Sequence, residues 1–264
     1  METTHSADGT TIAYDRAGAG TPLILVGGAL CDRTSTALLA EALAPSYTTI
    51  SYDRRGRGNS GDTQPYSVAR EVEDLAAIIK AVGGQAAVYG HSSGAALVAV
   101  AAPSLPISKV ILHEPPYGQD DEESQRQADE SAAAVLRLLA ESRRTEAVQT
   151  FLTMAGMPES DAAEYAKSPG MAEVAPTIAY DFAVMDEGAR GGTVPLGLLA
   201  RIVQPTLVLA GSGSPPFMTE AARAASKALP NGRLTELDGQ HHVVPADVLA
   251  PVLAEFLAGD VSRR

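Results

Sequence analysis

The sequence predicts an α/β fold, a mostly parallel sheet covered by helices on both faces, with one helical insertion. Three observations carry this expectation. Short apolar, strand-like runs alternate with segments of helical spacing over residues 1–116 and again over 202–264. Between them, over 117–201, the strand rhythm stops and helix-like stripes broken by proline and glycine take over. Apolar residues make up 45% of the 264, enough to bury the core of one sheet plus an excursion. Strands separated by helices need crossover connections, and such sheets are parallel and covered on both sides.

The elements follow in order. Thr11 to Tyr14 and Pro22 to Val26 read as strands, the second a Leu-Ile-Leu-Val run bounded by Pro22 and by Gly27-Gly28. Thr34 to Leu43 carries helical spacing, and Tyr47 to Tyr52 is again extended. SYDRRGRGNSG is a glycine-punctuated loop. Ser67 is the expected N-cap of a helix whose apolar positions Val68, Val72, Leu75, Ile79 and Val82 recur every three or four residues, and Gly83-Gly84 stops it. Ala86 to Tyr89 is a short strand, GHSSG a tight turn, and Ala95 to Ala102 a buried helix of small residues. Val110 to His113 is the next strand. The helical segment opens on the acidic QDDEESQ and carries a Leu and Ala stripe near Val135 to Leu139. Gln204 to Ala210 and Gly232 to Leu237 are strands flanking a helix at Thr219 to Leu229. The last helix, about Leu249 to Leu257, tolerates Pro251 only near its first turn.

Composition narrows the function. A net charge of −12 disfavours nucleic acid and anionic membrane as partners, which would be repelled. The N-terminus lacks the basic and apolar regions of a secretory signal, and the apolar run at Ala95 to Ala102 is too short to span a bilayer. Cys31, the single cysteine, excludes an internal disulfide and a Cys-based metal cluster. A cytoplasmic protein without metal or cofactor is expected.

Two local features carry chemistry. Gly90-His91-Ser92-Ser93-Gly94 follows a strand and opens a helix, the setting in which a serine is held on a strained turn with its hydroxyl exposed. A serine needs a base within hydrogen-bond reach. Of the five histidines, His5 lies at the terminus, His91 is locked beside the serine with its side chain directed away, and His113 points to the opposite face from its neighbour. His241-His242, in the loop after the last strand, remain as candidate bases. The second feature is KVILHEPPYG: Glu114 ends an apolar strand just before two prolines, where a buried carboxylate is costly unless its charge is compensated. It therefore needs a partner, either a catalytic histidine or an ion pair that anchors the insertion.

Four pieces in order, LILVGGAL, SYDRRGRGNSG, VYGHSSGAA and LDGQHHVVP, make the chain from Thr11 onward resemble the α/β-hydrolase superfamily. The resemblance implies Ser92 as nucleophile and favours His242 over His241 as base, because it lies three residues after Gly239. It implies a structural rather than catalytic role for SYDRRGRGNSG. It also implies oxyanion donors at the Ser93 amide and in the VGGAL loop, at Ala29 or, in a shifted register, Gly28. One position departs from the pattern: in LVLAGSGSPPFM the usual acid is Ser214, and a hydroxyl cannot stabilise an imidazolium. Certain lactonases and dehalogenases carry the acid after the preceding strand, where Glu114 stands, between the Ser92 strand and the strand after the insertion. Asp238 is the alternative, although it more naturally makes a turn. Cys31 is expected to pack beneath the VGGAL loop.

The expected function is hydrolysis of a small or medium apolar ester, lactone or thioester through an acyl-enzyme. Carbon–carbon bond hydrolysis, cofactor-free perhydrolysis and a non-hydrolytic binding scaffold are the alternatives. The insertion is a candidate lid whose Phe151, Met154, Met157, Tyr165, Met171, Tyr180, Phe182 and Met185 either line an apolar pocket or pack the lid itself.

Overall fold

The computed structural model describes residues 1–118, 120–188 and 192–259. Eight strands form one sheet in the order β1-β2-β4-β3-β5-β6-β7-β8. They are β1 (Glu2–His5), β2 (Thr11–Ala17), β3 (Thr21–Val26), β4 (Tyr47–Tyr52), β5 (Ala86–His91), β6 (Ile107–His113), β7 (Thr206–Gly211) and β8 (Gly232–Leu237). β1 and β2 pair antiparallel, as do β2 and β4, and every pair from β4 to β8 is parallel. The chain from Pro22 to Leu237 therefore follows the expected rhythm. The strand at Glu2–His5 has no counterpart in the sequence reading: its pattern is polar and it lies at the edge, so pairing with β2 rather than burial makes it a strand.

Side chains alternate across the sheet and divide the core in two. Ile24, Val26, Val88, Val110 and Leu112 face α2 (Val68–Ala81), α3 (Ser93–Ala101) and α10 (Pro216–Ala228). Leu23, Leu25, Tyr89, Ile111 and Leu207 face α1 (Ala37–Leu43) and α11 (Ala246–Ala258). Each fully buried Leu, Ile or Val on either face is worth roughly 1.5–3 kcal/mol of transfer energy, which is why the register of the central strands is strongly specified.

Two expectations are corrected at element ends. Ser67 occupies the N-cap of α2 with extended backbone, but its side chain makes no cap bond. α11 begins at Ala246, so Pro251 lies inside the helix rather than in its first turn; the helix nevertheless buries Leu249, Ala250 and Leu253, a tertiary gain that offsets the missing amide. The SYDRRGRGNSG loop is held by Asp53, fully buried, which accepts from the amides of Arg33 (2.7 Å) and Asn59 (2.8 Å).

Between β6 and β7 the described residues form helices: α4 (Glu122–Ala140), α5 (Arg144–Met154), α6 (Glu159–Tyr165), α7 (Met171–Val174), α8 (Ile178–Asp186) and α9 (Leu196–Leu199). Gln119 and residues 189–191 of this segment, like 260–264 at the end, lie outside the described residues. Asp121 caps α4 by accepting from the Ser124 amide (2.9 Å). The helices share a small core of their own, in which Val135, Ala147, Val148, Phe151 and Ile178 pack with Leu30 from the loop after β3.

Candidate active site

β5 ends in a turn that only small neighbours permit. Ser92 has φ 54° and ψ −125°, a sparsely populated conformation for a residue other than glycine. A Cβ on Gly90 would meet the carbonyl of Gly94 and lie 2.7 Å from Ala95 Cα. One on Gly94 would lie 2.5 Å from the Val26 carbonyl oxygen. Both glycines are thus required by close backbone approach, and the Ser92 amide is anchored to the His113 carbonyl (2.9 Å).

Glu114 sits where β6 stops, fully buried and with φ 45°. Its amide bonds the Leu209 carbonyl (2.9 Å) and its Oε1 accepts from the Gly211 amide (2.7 Å), so the residue leans toward β7. Its Oε2 lies 2.6 Å from His242 Nδ1. Burial, the largest influence, raises the carboxyl's pKa, but the His242 ring, Ser214 and the Gly211 amide outweigh it and hold the group below its ordinary value. The Ser214 hydroxyl has no hydrogen bond of regular geometry, yet lies near enough to favour the charged carboxylate. An ionised carboxylate accepts from Nδ1–H. In the neutral ring this tautomer leaves Nε2 of His242 as the acceptor a general base needs.

Ser92, His242, Ser93 and Ala29 line one cavity of about 220 Å³; Gly28 is not among its lining residues. Phe151, Met154, Phe182 and Met185 supply apolar wall, joined by Phe217 and Met218 of α10. Those last two lie outside the helix expected at Thr219 to Leu229, since α10 begins earlier, at Pro216. Of the other aromatic and methionine candidates, Met171 packs inside the helical segment and Tyr165 is exposed. Tyr180 stacks on Tyr66 and bonds Asp62 and Gln64. Met157 is half-buried and does not line the cavity.

The remaining candidates fall outside this arrangement. His241 is exposed, with its ring against Gly213. Asp238 is exposed and accepts only a long bond from Ser212 (3.4 Å). Burial pushes the Cys31 thiol above its usual pKa, the opposite of what a nucleophile needs. His113 is buried and its Nδ1 bonds the Tyr89 hydroxyl (2.7 Å). His91 differs from expectation: its ring does not leave the site but packs 4.6 Å from that of His242, with Nε2 donating to the His242 carbonyl (2.8 Å). Burial lowers its pKa to about 4, so it is a neutral prop for the loop.

A second buried network lies beneath Ser93. Arg54 forks onto Glu71 through two 2.7 Å bonds, and its Nη1 donates to Asp181 Oδ1 of α8 (2.8 Å). Asp181 Oδ1 also accepts from the Ser93 hydroxyl (2.7 Å), and both its oxygens accept from Arg57 (2.8 and 2.9 Å). The sequence points to no such network: the arginines sit in the glycine-punctuated SYDRRGRGNSG loop, for which only a structural role is implied, and Asp181 is 124 residues from Arg57.

Residues 18–254 match the model of the Alpha/beta hydrolase family. An alpha/beta hydrolase of Sphaerobacter thermophilus is 46% identical, with TM-score 0.88 over 97% of this chain and 100% of that one. An esterase of Exiguobacterium antarcticum, 17% identical, shares the fold with TM-score 0.77 over 97% and 99% of the two chains. A protein of Azorhizobium caulinodans, provisionally named carbamate hydrolase RutD, is 28% identical over 98% of this chain and 97% of its own. With a family match over nearly its whole length, a mostly parallel eight-stranded sheet and a strained serine turn after β5, the chain belongs to the α/β-hydrolase family.

Proposed function

We propose that the protein is a serine hydrolase that cleaves a small or medium apolar ester, lactone or thioester through an acyl-enzyme. The observation that carries this reading is the 2.6 Å bond between His242 Nδ1 and the buried Glu114 carboxylate, in a cavity that also holds Ser92. Ser92 Oγ bonds to the substrate carbonyl carbon as its proton passes to His242 Nε2. Glu114 stabilises the resulting imidazolium. The negative oxygen faces the amides of Ser93 and Ala29, and its collapse expels an alcohol or thiol that takes the proton from Nε2. Water, deprotonated by the same nitrogen, then releases the acid.

A cavity of about 220 Å³ with mostly apolar walls favours a short acyl chain. The helical segment between β6 and β7 acts as a cap, since it contributes Phe151, Met154, Phe182 and Met185 to that wall. A carbamate presents the same kind of carbonyl, and the name of the Azorhizobium relative makes it an arm of the test. The cytoplasmic placement continues to rest on the sequence; no described helix is long and apolar enough to cross a membrane.

The test is turnover of p-nitrophenyl acetate and butyrate, lactones and carbamates, with fluorophosphonate labelling before and after Ser92→Ala. Native turnover with labelling at Ser92, and a loss of roughly 10⁴-fold or more in the variant, is expected. A folded Ser92→Ala protein with native activity would rule the mechanism out, and a native protein that neither turns over nor labels would point to a binding scaffold.

A further inference from the structure

Arg57 does more than pair with Asp181. Its Nη1 donates to the carbonyl of Gly28 (2.6 Å) and more distantly to that of Cys31 (3.4 Å), while Nη2 holds Asp181. The Gly28–Ala29 peptide is planar and trans, so its carbonyl and amide point in opposite directions. Tying the Gly28 carbonyl to Arg57 beneath the loop turns the Ala29 amide the other way, and Ala29 is the residue of this peptide that lines the cavity. The same loop closes through a Cys31 amide bond to Gly28 (3.3 Å) and places Leu30 at φ 61°, a conformation that favours glycine. A leucine persists there because its side chain is buried in the core of the helical segment.

The other donor is tied to the same carboxylate. Ser93 opens α3, where its amide has no partner within the helix. Its hydroxyl donates to Asp181 Oδ1 (2.7 Å) and accepts from Arg54 (3.2 Å). One carboxylate on α8 thus underlies both the residue that supplies one amide and the arginine that orients the other. Arg54, Arg57, Glu71 and Asp181 are all buried and carry two charges of each sign, so the cluster is balanced without solvent.

We propose that Asp181 and Arg57 are positioning residues that set the oxyanion hole, so that the hole is complete only when α8 is docked on the core. The proposal rests on the serine-hydrolase reading and adds what aims its electrostatic stabilisation. A purely structural cluster would hold α8 in place and influence substrate binding through Phe182 and Met185, which α8 contributes to the wall. An aimed hole affects the transition state instead, because its donors gain most where charge develops.

The experiment measures kcat and KM for p-nitrophenyl butyrate and the affinity of an alkyl trifluoromethyl ketone. Ser92 Oγ adds to the ketone carbonyl, its proton passes to His242, and the hemiketal oxygen is left negative in the hole. Arg57→Lys keeps the charge, but a single ammonium cannot reproduce the fork between Asp181 and Gly28. The double variant Arg57→Met with Asp181→Asn removes one charge of each sign and leaves Arg54 with Glu71, which guards against loss of the fold. In both, kcat and ketone affinity fall together by about 10- to 100-fold while KM stays within about threefold, less than removal of a donor outright because the amides remain present but misaimed. If a folded variant of either kind retains native kcat and ketone affinity, or raises KM with kcat unchanged, the inference is overturned and the serine mechanism stands. If the native enzyme shows no Ser92-dependent turnover or ketone binding, the underlying reading falls and takes the inference with it.

Discussion

Two carboxylates, Glu114 at the end of β6 and Asp181 in the middle of α8, are both fully buried and both held below their ordinary pKa against the cost of burial. Their partners differ. Glu114 meets a backbone amide and the imidazole of His242, while Asp181 meets the guanidiniums of Arg54 and Arg57 and a serine hydroxyl. A fixed ion cluster can hold geometry but cannot follow a reaction. A carboxylate facing a titrating ring can stabilise charge that exists for part of the cycle. In the proposed mechanism the pair would separate two kinds of electrostatic work in one site, Glu114 answering to the proton on His242 and Asp181 to the shape of the loops around Ser92.

Of the two carboxylates, Glu114 is expected to show the larger loss of rate. Glu114→Gln keeps the size and much of the hydrogen bonding but loses the charge, and its amide NH2 can favour the wrong tautomer of His242. kcat should fall by roughly 10² to 10⁴ with KM little changed, read by steady-state kinetics on folded protein. Near-normal kcat across the pH range would return Glu114 to a structural role.

The Asp181 side should break differently. Asp181→Asn leaves Arg57 without a compensating anion in a dry environment, and breaking such a pair costs about 3–5 kcal/mol. A chemical denaturation midpoint should fall accordingly, and the double variant with Arg57→Met should recover part of that loss. Recovery of stability without recovery of kcat is the signature that separates aim from anchorage. Glu114→Gln, by contrast, should cost more in rate than in stability.

Acid sharpens the comparison further. Both carboxylates have lowered folded-state pKa values, so the stability they contribute is present above the ordinary carboxylate range and is lost only as pH falls through those lowered values. His91 acts at higher pH. Its folded pKa of about 4 lies below the ordinary 6.5, so the unfolded chain takes up a proton that the folded chain refuses, and stability declines as pH falls from about 6.5 toward 4. His113, buried and also lowered, acts in the same sense. Denaturation midpoints measured through that window should decline in the native protein and less steeply in His91→Gln. An unchanged slope would remove His91 from the account. The smallest effect belongs to His241: its alanine variant should retain kcat within about threefold, whereas His242→Ala should lose activity nearly as completely as Ser92→Ala. The reverse result would reassign the base while keeping the serine.

Legibility followed the range of the physical cause. The Ser92 turn was readable because two close backbone approaches demand Gly90 and Gly94 within four residues of each other. Glu114 was readable as an unmet cost, a charge at the end of an apolar strand, although its partner lies 128 residues away. The polar strand at Glu2–His5 was not, because nothing in its own residues calls for burial. Nor was the packing of His91 on His242, since the alternation of a strand fails to describe a side chain at the strand's last residue, where the chain is already turning.

By itself the sequence determined the alternation of strands and helices, the strained serine and the need of Glu114 for a partner, because each follows from local spacing or from the cost of leaving a charge unmatched. Only the tertiary structure decided that the imidazole is that of His242, that Ala29 rather than Gly28 lines the cavity, and that Asp181 stands behind Ser93. Those choices depend on which loops converge at one end of the sheet, where residues 88 to 128 positions apart come within hydrogen-bonding distance, and no local pattern encodes a contact across such a span.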